Sequence, residues 1–328
     1  MSTFEKLQAQ RRTIAPAKSG DDELGPLQLL PGVWKNLPNL PGRGWNLIAL
    51  PFASPDHDLN YRLLMNQYNE VLRFTTVDKA VPNRGLTDDD PRQNIDQLIV
   101  TLDYEQKIVQ VAAEDFPDSG LAGLPGLAIH HEPGLFLHMS NADTDGVNIG
   151  RLATIPHGNS ALGLGRFDED VHKHDGPPRI PDEVHAFPIG VEQDINRDYL
   201  LPYKHFNENL FENLFDPMDT SRLLQKANAG ANILRTTELH LDTDILAGGI
   251  VNIPFIETQA DATKMESTFW IQELEEKDED GEHKLRLQYL QIVMLDFFER
   301  PPGQGEGLIR WPHISINTME RVEKPETE

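Results

Sequence analysis

The groups of this 328-residue chain able to do chemistry are histidines, carboxylates and amides, because it contains no cysteine. There is no thiolate ligand, disulfide or cysteine nucleophile, so any metal or haem iron must be met by His, Met, Tyr, Asp or Glu. Trp311-Pro312-His313-Ile314-Ser315-Ile316-Asn317-Thr318-Met319 places one histidine at the head of an alternating run. A neutral imidazole held on a rigid strand at the wall of an apolar barrel is what an iron porphyrin requires as axial ligand. Alternation groups His313 with Trp311, Ser315 and Asn317, and turns Ile314 and Ile316 the other way. Either the isoleucines face the interior and His313 lies outside, or a mixed wall lines the cavity and a covering helix takes the isoleucine face. A bulge at Pro312 would shift the register by one.

Other histidines stand in suggestive company. His157, in Ile155-Pro156-His157-Gly158-Asn159-Ser160, sits in a Pro/Gly turn, where it is either an exposed turn residue or a distal acid/base group for peroxide. His130, His131 and Glu132 form either a His/Glu couple tuning a proton in the wall, with His131 and Glu132 as the pair, or a structural bulge ahead of Gly134. Asp168-Glu169-Asp170-Val171-His172-Lys173-His174-Asp175 spaces two imidazoles for one strand face, but Lys173 and the adjoining prolines favour a solvated loop over a metal site. Asn252, Gln288 and Gln291 interrupt apolar strands; facing inward, they would need partners that an interior ligand can provide. No phosphate-binding loop or nucleophile elbow is present, since Gly303-Gln304-Gly305-Glu306-Gly307 precedes a strand and reads as a flexible turn.

The elements that must position these residues are short apolar runs rich in β-branched residues and bounded by Pro and Gly, the pattern of strands. They include Gly44 to Leu50, Glu70 to Val77, Leu98 to Tyr104, Ala128 to Met139, Ile149 to Ile155 and Ser160 to Phe167. Long turns are expected at 82–94 and 112–125. Prolines between 168 and 230 break the ladder, and the spacing of Phe211, Leu214, Phe215, Leu223 and Leu224 predicts one or two short helices interrupted at Pro217. This insertion would suit a lid or plug over a barrel mouth. Ile233 to Thr243 alternates cleanly. Met265 to Leu274 and Leu285 to Phe298 flank an Asp-Gly turn and form a hairpin. The last strand, Ile309 to Val322, is expected to return to the first and close the sheet, because closure leaves no edge.

The predicted fold is therefore all-β: a closed antiparallel barrel of about ten strands with a helical and loop insertion. Residues 1–23 are read as a flexible lead-in and 24–328 as one barrel domain. A net charge of −24, from 29 basic and 53 acidic residues, argues against nucleic acid and anionic membranes as partners. With no signal-like or membrane-spanning run, the expectation is a cytoplasmic protein.

Three stretches give the chain a resemblance. Leu27 to Trp34, ending Leu-Leu-Pro-Gly-Val-Trp, is followed by a second Gly/Trp pair at Gly44-Trp45. Next come Ile129-His130-His131-Glu132-Pro133-Gly134-Leu135-Phe136-Leu137 and Pro312 to Arg321. In this order they resemble the calycin superfamily of lipocalins and fatty-acid-binding proteins, and in particular the nitrobindin family. The resemblance implies a ten-stranded barrel holding haem b, with His313 as axial ligand and Trp34 and Trp45 near the bound group. A peroxidase-like or nitrogen-oxide-related redox role would follow. Two alternatives stay open: a haem-free carrier or sensor of an apolar or amphipathic molecule, and a cofactor-free lyase or isomerase of the calycin type.

Overall fold

The structure, a computed structural model, describes residues 21–52, 58–85, 96–140, 145–155 and 158–324. The first strands are β1 (Gly32–Asn36), β2 (Gly44–Pro51), β3 (Tyr61–Asn83) and β4 (Gln97–Phe116). They are followed by β5 (Ala128–Ser140), β6 (Ile149–Ala153) and β7 (Ser160–Gly165). After a helical turn α1 (Glu169–His172) and a short β8 (Lys173–Asp175) come helices α2 (Leu201–Glu208) and α3 (Arg222–Asn228). The remaining elements are β9 (Ile233–Asp242), β10 (Gly249–Val251), α4 (Pro254–Gln259), β11 (Asp261–Lys277), β12 (His283–Glu299) and β13 (Leu308–Glu323).

All strand pairings are antiparallel, and ten strands form a ring in the order β7-β6-β5-β4-β3-β1-β13-β12-β11-β9. The ring closes where Leu164 of β7 meets Asp242 of β9. Between β3 and β13 one slot is filled by two short strands. Here β1 pairs with the lower stretch of β13 (319–323) and β2 with its middle (314–316). The expected return of the last strand to the strand at Gly44 is thus present, with β1 added beside it, as is the β11/β12 hairpin across the Asp-Gly turn. No helix among the described residues is long and apolar enough to cross a membrane.

Two apolar cores result from the alternation. The lower one is inside the ring, where rings on non-adjacent strands meet: Phe136 of β5 lies 5.3 Å from Phe269 of β11. Leu24, Leu27 and Leu30 pack there with Trp34, whose indole N–H donates to Leu30 O at 2.8 Å. The second core lies largely against the outer face of the β2–β3–β13–β12 wall. Trp45, Leu47, Leu63, Met65, Ile314 and Ile316 pack there with Phe206, Phe211, Phe215, Leu223 and Leu224. Side chains of the insertion therefore cover this outer face, where those apolar side chains need burial, and Tyr199 also reaches Trp311 of β13, with 6.1 Å between ring centroids.

Two expectations are corrected in detail. The segment 112–125 is not all turn, because β4 continues to Phe116. Its inward positions past Tyr104 are Gln106, Ile108 and Gln110, so an apolar count ends the strand too early while the burial alternation continues. Phe211 to Phe215 is also not helical. Glu212 and Asn213 have φ of 51° and 60°, and Phe211 bridges Phe215 in a tight turn that points both rings at Trp45.

Candidate functional site

A cavity of about 440 Å³ opens inside the ring above the lower core, and His313 is on its wall. The local reason is alternation. On β13, Ile314 and Ile316 enter the outer core, which turns His313 and Ser315 inward; on β2, Trp45 and Leu47 go outward, which turns Asn46 and Ile48 inward. The mixed-wall alternative is the arrangement found, with the insertion's side chains covering the isoleucine face. The upper walls are aliphatic, with Ile48, Leu64, Ile108 and Leu295, and the floor is polar, with Gln106, His130, Tyr289 and Gln291.

Beneath the floor lies a buried charge network built on Glu132. Arg151 donates from Nη2 to Glu132 Oε1 at 2.9 Å, from Nε to the Tyr104 hydroxyl at 3.1 Å and from Nη1 to Gln291 Oε1 at 2.6 Å. Tyr104 donates to the same carboxylate oxygen, while His130 Nε2 lies 2.9 Å from Oε2. The guanidinium also sits over the rings of Tyr104, Phe136 and Phe269, 5.3–5.8 Å from their centroids, in cation–π contact. Burial alone would push the Glu132 carboxyl up; Arg151 and the His130 and Tyr104 bonds outweigh it and hold Glu132 below the usual carboxylate range. Glu132 is therefore ionised at neutral pH, and His130 Nε2 carries the proton between them.

A second buried carboxyl, Glu70 of β3, behaves oppositely. It accepts from Tyr289 at 2.7 Å, Asn317 at 2.7 Å and Gln106 at 2.8 Å, all neutral donors. The Tyr289 hydroxyl also meets that of Tyr68 at 2.8 Å, and Asn36 ties Asn317 to the Glu70 backbone. With no cation among the described residues bonded to it, burial wins over these hydrogen bonds and raises Glu70 above the usual range. The two buried carboxyls are thus shifted in opposite directions by their partners, Glu132 down and Glu70 up. Glycines make room for this packing. A Cβ at Gly44 would fall 1.9 Å from the Tyr68 ring, and one at Gly134 would fall 2.4 Å from that of Tyr104.

The other residues singled out in the sequence fall in various places. His131 points outward, its side chain 61% exposed and its Nε2 3.1 Å from Glu105, so the histidine coupled to Glu132 is His130. The cause is alternation again, since His130 shares its face with Glu132 and His131 does not. Neither Trp34 nor Trp45 lines the cavity: Trp34 is in the lower core and Trp45 in the outer one. His157 lies outside the described residues. His172 ends α1 with Nδ1 near Asp168 O, and His174 in β8 faces Asp175 O. Among the described residues no three His, Asp or Glu side chains converge as a metal site. Gln291 faces the cavity as expected, whereas Gln288 faces outward and binds Leu224 O and Thr318, and Asn252 ties Asn159 to Asp261. Sequence reasoning missed Glu70, Tyr104, Arg151 and Tyr289, each of which interrupts or ends an otherwise apolar face of its strand.

Fold and site together define an antiparallel β-barrel with an interior ligand-sized cavity above a buried carboxylate network. Compared with protein-family models and with curated proteins, the chain finds no match.

Proposed function

We propose that the cavity holds haem b, with an imidazole nitrogen of His313 as axial donor, in a barrel of the nitrobindin-like calycin kind. The observation that carries this reading is the position of His313, the terminal-strand histidine of the resemblance, on the wall of the cavity. The donor set fits the group. An imidazole on a strand can ligate the iron, the aliphatic upper walls suit a flat apolar ring, and about 440 Å³ is within the range of small-molecule sites. No lysine or arginine is among the described residues lining the cavity, so propionates would have to be met by water rather than by a cation. When bound, haem would supply a redox-active iron able to react with peroxide or a nitrogen oxide. On this reading His313 binds and orients, the aliphatic walls exclude water, and His130 holds a proton at Nε2 against Glu132.

A second reading is favoured by the same lack of a lining cation: a haem-free carrier or sensor of a neutral amphipathic molecule. Absorbance titration with haemin separates the two. The haem reading expects a Soret band saturating at one equivalent in the wild type and lost or displaced in His313→Ala. A wild type that stays colourless with excess haemin, yet takes up the neutral fluorophore N-phenyl-1-naphthylamine, supports the carrier instead.

A further inference from the structure

The strand register sets four polar side chains side by side on the cavity wall. Asn66 of β3 stands opposite Asn46 of β2, Asn46 opposite Ser315 of β13, and Ser315 opposite Gln291 of β12. Directly opposed residues share a face, and all four line the cavity. What each offers a ligand depends on which of its atoms the protein already uses and which remain reachable.

The amide of Asn66 is held in one orientation. Gln110 donates from Nε2 to Leu124 O at 3.1 Å and to Ala122 O at 3.4 Å, which turns its Oε1 to Asn66, and Asn66 Nδ2 donates to that oxygen at 2.6 Å. Asn66 Oδ1 is left over as an acceptor, with no hydrogen bond among the described residues and not shut off from the cavity. Gln291 is fixed the opposite way, since its Oε1 accepts from Arg151 and Nε2 remains as a reachable donor. Asn46 Oδ1 is closed off by packing, so the reachable end of that amide is Nδ2, and the Ser315 hydroxyl can turn to donate. The row therefore offers one acceptor on β3 beside a run of donors on β2, β13 and β12.

A head group that answers this pattern needs a donor towards Asn66 and an acceptor towards Asn46 and Ser315. A carboxylate, ester or ketone has acceptors only and leaves Asn66 Oδ1 without a proton. Reach separates the remaining choices. With β2 between them, β3 and β13 are two strand spacings apart, about 10 Å. A hydroxyl oxygen making two hydrogen bonds spans about 6 Å, enough for neighbouring strands only. In a carboxamide the oxygen and nitrogen are about 2.2 Å apart, and the same two bonds span about 8 Å, which comes close to the full separation.

We propose that this row seats the carboxamide head of a neutral amphipathic ligand, with its N–H on Asn66 Oδ1, its carbonyl oxygen on Asn46 Nδ2 and the Ser315 hydroxyl, and its apolar body against Ile48, Leu64 and Leu295 of the aliphatic wall. The inference rests on the carrier reading and names the ligand class for it; it does not require haem.

The test is displacement of N-phenyl-1-naphthylamine at pH 7.5 by decanamide, undecan-2-one and 1-decanol, with wild type and Asn66→Leu. Undecan-2-one has the size of decanamide with a methyl in place of the NH2, so the ratio of their displacing concentrations reports on the N–H. Comparing that ratio between the two proteins cancels the partition of the tails. The preference for decanamide over the ketone should fall about ten-fold in Asn66→Leu, the loss of one buried hydrogen bond, while that for decanol over the ketone should change by less than about three-fold. An unchanged amide ratio overturns the inference while leaving the cavity a ligand site, and an equal fall for decanol overturns the choice of head. Failure of the fluorophore and all three competitors to bind the folded wild type removes the carrier reading and the inference with it. If Asn66→Leu does not fold, 15N-labelled decanamide bound to the wild type should show a nuclear Overhauser contact from its N–H protons to the Asn66 side chain, and a bound amide without that contact overturns the inference.

Discussion

Replacing Arg151 by methionine leaves Glu132 buried with only His130 and Tyr104 to stabilise its charge. Removing one partner of a buried ion pair costs about 3–5 kcal/mol. At about 2.1 cal/mol/K per residue, a 328-residue chain has an unfolding entropy of about 0.7 kcal/mol/K, so the loss corresponds to a fall in melting temperature of about 4–7 °C. The pH dependence is more diagnostic. In the wild type the folded value of Glu132 lies below the unfolded one, so its stabilisation is present above about pH 4.3 and is lost as pH falls through the folded value. Without Arg151, burial is no longer outweighed and the folded value moves above the unfolded one. The sign then reverses, and the variant loses stability as pH rises from about 4.3 through the new folded value. Thermal and urea unfolding followed by circular dichroism between pH 4.5 and 8 should therefore show a deficit that is smallest in acid and widens towards pH 8. Adding Glu132→Gln should recover much of the loss at pH 8, because the uncompensated charge is gone. A deficit below about 1 kcal/mol, or one independent of pH, would refute the assignment of Glu132 and Arg151 as a buried, charge-bearing pair.

Other outcomes follow from the same geometry. Glu70 has its folded value raised, so the wild type should lose stability as pH rises through that value; Glu70→Gln should flatten this slope between pH 5 and 8 in the same unfolding series. His130→Ala, which removes a bond to a charged carboxylate, should cost about 1.5–3 kcal/mol, and His131→Ala, at the surface, less than about 0.5 kcal/mol; denaturant midpoints compare them directly. Gly44→Ala should destabilise by about 1–3 kcal/mol through overpacking against the Tyr68 ring, with a change in near-ultraviolet circular dichroism from the displaced tyrosine.

Much of the barrel was legible because its strands carry period-two patterns and turn residues. The β9 run, the Asp-Gly hairpin and the return of β13 to β2 could all be located from alternation and turn chemistry. β4 past Tyr104 could not, because its inward side chains Gln106 and Gln110 serve the interior network, and polar residues facing inward mimic the end of a strand. The site divides in the same way. His313 stood out as a lone imidazole on an alternating run, but alternation alone left open which of the two faces turns inward. Whether His130 or His131 pairs with Glu132 depends on the face that β5 turns inward, which the doubled histidine does not reveal. Arg151 and Glu70 were hidden for a different reason. Glu70 meets Tyr289 and Asn317 only once the ring is closed, and Arg151, although it pairs with Glu132 on the neighbouring β5, reaches Gln291 of β12 only across the closed barrel.

The most direct test of the central claim is chemical rescue at the axial position. His313→Gly removes the imidazole and leaves space for a free one in the cavity wall. If His313 is the axial donor, the variant mixed with haemin should lack the wild-type Soret band and recover it on addition of millimolar imidazole, while His131→Gly keeps the band throughout. A His313→Gly protein whose haemin spectrum equals that of the wild type without imidazole, or a wild type that binds no haemin, would contradict the account.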